Sequence, residues 1–157
     1  MAELAEQLEA IAAGLEPYQV TEAEQITGHR NDLPGRGQTM SPPFIPDEWD
    51  SQHAKGRVVF GRFYLGGGGA VHGGAIPLLF DEILGRLANT GGRIRSRTAY
   101  LNVDYRNITP IGVELTAEGR FEREEGRKRF LYGVIRNGDL VLAEAHGLFI
   151  QLRPEQP

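Results

Sequence analysis

The stretch Gly66-Gly67-Gly68-Gly69-Ala70-Val71-His72-Gly73-Gly74-Ala75-Ile76-Pro77-Leu78-Leu79-Phe80-Asp81-Glu82-Ile83-Leu84-Gly85 reads as a glycine-rich turn running into an apolar helix. Placed at steps of about 100°, Ile76, Leu79, Phe80, Ile83, Leu84 and Leu87 gather on one wide arc, the expected core face. Gly74, Pro77, Leu78, Asp81, Gly85 and Ala88 fall on a narrower strip beside it. Pro77 has no N–H and is comfortable only in a first turn, so the helix begins within a residue or two of Gly73 and is predicted from about Gly74 to Asn89. The amides of Gly73 and Gly74 are then expected to be free at the positive end of the helix dipole. Oriented amides and an acid in apolar surroundings suit attack on a carbonyl.

Asp81 lies 81 − 73 = 8 residues beyond Gly73, or roughly 12 Å along a helix axis. A carbonyl held by the amide and attacked through the acid needs both within a few ångströms of one centre. One chain does not easily supply both. An antiparallel two-fold dimer would set each Gly73 beside the other chain's Asp81.

Working outward, Ala2 to about Leu15 reads as an amphipathic helix with Leu4, Leu8, Ile11 and Ala12 on one stripe, stopped by Gly14 and Pro17. From there to about His53, Pro34-Gly35, Pro42-Pro43 and Pro46 punctuate an irregular segment, long enough to be a lid or a packed strap. Residues 57–65 read as a strand. Further strands are expected near 96–106, 113–122, 127–136 and 140–151, the last three joined by turns at Glu125-Gly126 and Asn137-Gly138. A strand, a long helix and a run of antiparallel strands make an α+β plan, with the sheet wrapped around one central helix. The expected division is an N-terminal helix and extension over 1–53 and one domain over 54–153.

With 157 residues, 40% apolar, 24% charged and a net charge of −4, the chain has neither a basic field for nucleic acid nor a membrane-length apolar run. The absence of cysteine excludes disulfides, thiolate zinc and a Cys nucleophile. Glu3, Glu6 and Glu9 stand where a signal peptide carries base, so a cytoplasmic location is expected.

The residues His72-Gly73-Gly74 with Asp81, and the later Leu101-Asn102-Val103-Asp104-Tyr105-Arg106-Asn107-Ile108-Thr109-Pro110-Ile111-Gly112, resemble the hotdog-fold acyl-CoA thioesterases of the phenylacetate-pathway and Them-like branch over about residues 56–151. The resemblance implies a homodimer, or a dimer of dimers, with sites at its interface. It implies that the Gly73 amide, helped by Gly74, polarises the thioester carbonyl of an acyl-CoA. Asp81 of the other subunit would then be nucleophile or general base, with no metal or cofactor. A Ser or Thr near the start of the following strand often assists in the family, and Thr98 matches that position. The branch often carries Asn six residues before the motif His, where this chain has Gly66; Asn31 or Gln38 of the N-terminal segment are conceivable substitutes.

Other readings of these residues stay open. His72 fits a group fixing the turn better than a base. Glu82, on a face shared with Arg86, reads as half of a solvated i,i+4 pair and is the fallback base. Thr98 has the opposite strand parity to Ala99, Leu101 and Val103, so it faces away from the helix unless it precedes the regular strand. The four-glycine run lacks a following Gly-Lys-Ser/Thr and fits close backbone approach rather than a nucleotide loop. Arg93, Arg95, Arg97 and Arg106 form a basic cluster from which some could grip the CoA phosphates. His146 and Glu144 read as the outer face of the last strand, and His29 and His53 have no readable partners. The rivals to hydrolysis are a hotdog hydratase or dehydratase acting on 2-enoyl-CoA, a non-catalytic acyl-CoA-binding module and, ranked last because it has no use for a glycine amide and a spaced acid, a purely structural oligomerisation domain.

Overall fold

The computed structural model describes residues 2–30 and 32–156. Helix α1 spans Ala2–Leu15 and the central helix α2 spans Ala75–Ala88. The strands are β1 (Phe44–Trp49), β2 (His53–Val59), β3 (Leu65–Gly67), β4 (Ala70–Val71), β5 (Ser96–Tyr105), β6 (Glu114–Glu125), β7 (Lys128–Asn137) and β8 (Leu140–Gln151). Six of them form one antiparallel sheet in the order β1-β2-β6-β7-β8-β5, and β3 pairs with β4 as a separate small ribbon. The large sheet curls around α2, which is the expected hotdog arrangement. Gly126 and Gly138 turn the two tight hairpins with φ of 58° and 57°, values that cost glycine nothing.

The core explains the curl. Ile76, Leu79, Phe80, Ile83, Leu84 and Leu87 are all buried, as the helical arc requires. They rest on a row of small residues crossing four strands, Ala54, Gly119, Gly133 and Ala145, which are register partners in turn. A Cβ on Gly133 would lie 2.8 Å from Cδ1 of Phe80, and one on Gly119 would lie 2.9 Å from Cδ2 of Leu84. The sheet can therefore touch the helix only where it carries almost no side chain. At its far end, α2 is tied down by Arg129, which donates to the carbonyls of Ala88 and Ile94 at 2.8 and 2.9 Å.

Two expectations are corrected. The segment before His53 is not wholly irregular, because Phe44–Trp49 pairs with β2 at the sheet's edge. Pro46 and the register shift between Pro46 and Glu48 hid this strand, and an edge is where both are tolerated. The strand expected over 57–65 is displaced, since β2 ends at Val59 and a short 3-10 turn occupies Arg62–Tyr64. The four-glycine run becomes the β3–β4 ribbon, whose backbone passes so near His72 that a Cβ on Gly66 would lie 2.8 Å from Cα of His72.

The stripe on α1 has no cover among the described residues, with Leu4, Leu8, Ile11 and Leu15 all more than half exposed. Among the described residues no helix is long and apolar enough to cross a membrane.

Gly133→Ala should destabilise the fold by about 1–3 kcal/mol through overpacking against Phe80. Adding Phe80→Leu should recover part of that loss. Chemical denaturation of the single and double variants measures both.

Candidate active site

The turn that opens α2 is held peptide by peptide. The His72 carbonyl accepts from the Ala75 N–H at 2.9 Å, and the His72 N–H donates to the Tyr64 carbonyl at 2.7 Å. In a trans peptide the N–H points opposite to the C=O, so the Gly73 N–H is turned away from the helix body. It donates to no acceptor among the described residues. The next peptide is clamped at both polar ends. The Gly73 carbonyl accepts from the Tyr105 hydroxyl at 2.8 Å, and the Gly74 N–H donates to Nδ1 of His72 at 3.0 Å.

This corrects the expectation of two free amides: the Gly74 N–H is already engaged, and only that of Gly73 remains open. It also gives His72 a position, with its ring beneath the turn and its proton on Nε2. Tyr105 was read in the sequence only as part of the 101–112 segment, with no role at this turn. The signal for it was its place on the helix-facing side of β5, two residues beyond Val103.

Asp81 lies further along α2 and is exposed. Its Oδ1 accepts from the Thr98 hydroxyl at 2.8 Å, leaving Oδ2 open. The parity objection to Thr98 dissolves at a β-bulge. Thr98 pairs with Phe149 and Tyr100 with Leu148, so Ala99 is the extra residue and the strand changes face there. Thr98 thus joins Leu101 and Val103 on the helix side. Asn89 fixes this end of β5 against α2 by accepting from the Ser96 N–H at 2.7 Å while donating to the Gly85 carbonyl at 2.8 Å.

Asp81 and Thr98 line a cleft of about 500 Å³ with Leu78, Gly85 and Phe149. Gly73 and Tyr105 line a different cleft of about 390 Å³ with Ile76 and Ile108. His72 and Gly74 border a third, of about 290 Å³, with Phe63 and Met40. Within one chain the open amide and the acid therefore do not share a cleft.

Glu82 is not the solvated residue expected. Its side chain is 7% exposed and receives a bidentate pair from Arg36, with Nε on Oε1 at 2.7 Å and Nη2 on Oε2 at 2.8 Å. Arg86 stands 3.6 Å from the same carboxylate and stacks over the Trp49 ring. Burial pushes the Arg86 guanidinium pKa down, and the Glu82 charge opposes that shift. Loss of Glu82 would leave two part-buried cations without their anion, whereas loss of Arg36 leaves Arg86 beside the carboxylate. Glu82 is thereby occupied as a structural anion and is not a fallback base.

The basic cluster divides. Arg93 is bound to Glu124 at 2.9 Å and to the Ser51 and Thr90 carbonyls, and it lies over the Phe121 ring. Arg106 is paired with Glu144 at 2.7 Å and with Asp104 at 3.3 Å. Arg95 and Arg97 border the Asp81 cleft, and no carboxylate among the described residues lies within ion-pair reach of either.

On the outer face of the sheet, Glu144 accepts from the Tyr132 hydroxyl and His146 sits 3.6 Å from Glu122. Burial, then the Glu144 bond, pushes the Tyr132 hydroxyl up to about 12. Of the residues considered as substitutes for the side chain absent at Gly66, Asn31 lies outside the described residues. Gln38 lines the Asp81 cleft, its Oε1 accepting from the Ser41 hydroxyl at 2.8 Å.

A family model described as Thioesterase superfamily matches residues 68–145. An acyl-coenzyme A thioesterase THEM4 from Bos taurus is 36% identical over 98 residues, covering 61% of this chain and 40% of that protein. The chain thus spans about two fifths of the length of the curated relatives it matches. A solved structure described as a thioesterase superfamily protein is 31% identical with a TM-score of 0.78, covering 96% of this chain and 78% of that one. A Streptococcus mutans structure bound to acetyl-CoA shares the fold at 20% identity and a TM-score of 0.64, covering 68% of this chain and 86% of that one.

Proposed function

The chain belongs to the thioesterase superfamily, and from that premise we propose that it hydrolyses acyl-CoA thioesters to the free acid and CoA. The observation that carries this reading is the Gly73 N–H before α2, open among the described residues and held rigid by Tyr105, His72 and Ala75. A fixed donor there stabilises the oxyanion that forms when a thioester carbonyl is attacked, at no cost of reorganisation. Asp81 is the attacking group or the base that activates water. Thr98 holds one carboxylate oxygen so that the other faces the carbonyl.

In this reading the amide and the acid come from two protomers of a homodimer, or of a dimer of dimers. The separate clefts of Gly73 and Asp81 within one chain support that assignment, as does the rise of roughly 12 Å between them. Arg95 and Arg97, free of carboxylate partners among the described residues, are the cations assigned to the CoA phosphates. Hydration of a 2-enoyl-CoA needs an acid and a His converging on adjacent carbons. Nδ1 of His72 is already engaged by the Gly74 N–H, which supports a turn-holding role for this ring over acid–base work.

The testing experiment is release of free thiol across a panel of acyl-CoAs. Turnover on at least one is expected, and Asp81→Asn should lower it by about 10²- to 10⁴-fold with CoA binding retained. Tight CoA binding with no thiol from any substrate would make the protein a binding module instead. Unchanged turnover in Asp81→Asn would remove the acid from the chemistry.

Mixing Asp81→Asn with Gly73→Pro subunits should restore about a quarter of the wild-type sites if each site is shared between protomers. No recovery after demonstrated subunit exchange would place the amide and the acid in unconnected roles. Arg95→Gln and Arg97→Gln should each raise KM by up to roughly fivefold with kcat kept, an effect fading at high salt. Salt-independent KM values in the wild type would argue against this assignment.

A further inference from the structure

The cleft that holds Asp81 is not built by the sheet and helix alone. One side of it is lined by Arg36, Gln38, Met40 and Ser41, all from the segment that precedes β1. This segment enters through Pro34-Gly35-Arg36-Gly37, whose last three residues have φ of 60°, 56° and 74°. Two of the three are glycines, for which that conformation is free; Arg36 is the non-glycine residue among those described that adopts it. Such strain persists only where the surroundings enforce it, and it marks clamps and switch regions more often than plain loops.

The enforcing contacts are the buried bidentate pair to Glu82 and the bond from Nη1 of Arg36 back to the Gly28 carbonyl. Glu82 is the residue next to Asp81. The strap is therefore fastened to the central helix directly beside the acid. Its fastening point is buried, while Met40 further along is 63% exposed and borders both the Asp81 cleft and the apolar cleft of Phe63, Tyr64 and Leu78.

We propose that residues 33–41 are a selectivity strap, pinned at Arg36–Glu82 beside Asp81, with Met40 as the wall that decides which acyl chains the cleft accepts. This rests on the acyl-CoA reading above and adds to it the element that sets acyl preference. Arg36 and Glu82 act as positioning residues and touch no reacting atom. Met40 suits the wall because its unbranched thioether chain adapts to an apolar partner. An apolar wall discriminates by length and bulk, so its signature is a change in the ranking of substrates rather than a uniform change in rate.

The test uses full-length protein with Asp81→Asn as the parent, so that binding is read without turnover. Calorimetry gives the affinities for acetyl-, hexanoyl-, dodecanoyl- and phenylacetyl-CoA. Met40→Trp should lower the affinity for dodecanoyl-CoA relative to acetyl-CoA by roughly tenfold, and Met40→Ala should move the ratio the other way. Met40 is exposed, so neither change threatens the fold. The change Arg36→Gln removes the pin while Arg86 stays beside the Glu82 carboxylate as its cation, and it should flatten the ranking.

Ratios within twofold of the parent in all three variants would overturn the proposal, as would absence of binding to every member of the panel. Thiol release is measured in parallel on chains that keep Asp81. Altered ratios without thiol release would leave the strap standing and remove hydrolysis. Thiol release with unaltered ratios would do the reverse.

Discussion

The seating of α2 on glycine is the constraint on which the other features depend. Gly119 and Gly133 face each other across β6 and β7, and both lie under side chains of the helix. Bulkier residues in that row would hold the helix off the sheet, and the closely packed interior would open. Because Phe80 is locked over Gly133, the rotation of α2 about its own axis is set. Asp81 then turns toward the start of β5 and meets Thr98, while Glu82 turns toward the N-terminal segment and meets Arg36. Neighbouring residues on one helix thus take up different work, one kept open to a cleft and the other buried in an ion pair.

The turn before the helix follows the same economy of backbone groups. A helix start leaves several N–H donors without partners. Here Pro77 removes one donor, Ala75 spends another on His72, and Gly74 spends a third on the His72 ring. The Gly73 N–H is left over, aimed outward by the geometry of its own peptide. Tyr105 reaches this turn from β5, the strand that also carries Thr98. One strand therefore supports both the amide and the acid, and a single bulge at Ala99 allows it to do so.

Much of this was legible in the residues and some was not. The 3.6-residue rhythm from Ile76 to Leu87 marked the core face, and alternation through Ala143, Ala145 and Gly147 marked β8, because both patterns report burial directly. β1 escaped because Pro46 reads as a break in any strand, and its pairing depends on a partner beyond the turn at Asp50. The parity of Thr98 was misread because a bulge leaves no trace in composition. Glu82 was misread because nothing local announces a guanidinium from 46 positions away. Local rules captured what local forces decide, and the misses lie where distant segments meet.

The two borders of the main sheet are unlike. On one side β1 is short and interrupted, with Pro46 and a register shift to discourage further pairing. On the other side β5 runs for ten residues beside β8 and has no strand on its outer side among the described residues. Its outward amides and carbonyls must be satisfied by water or by another polypeptide. Any growth of this sheet by lateral addition has therefore been given a direction, and it leads away from the proline-guarded border.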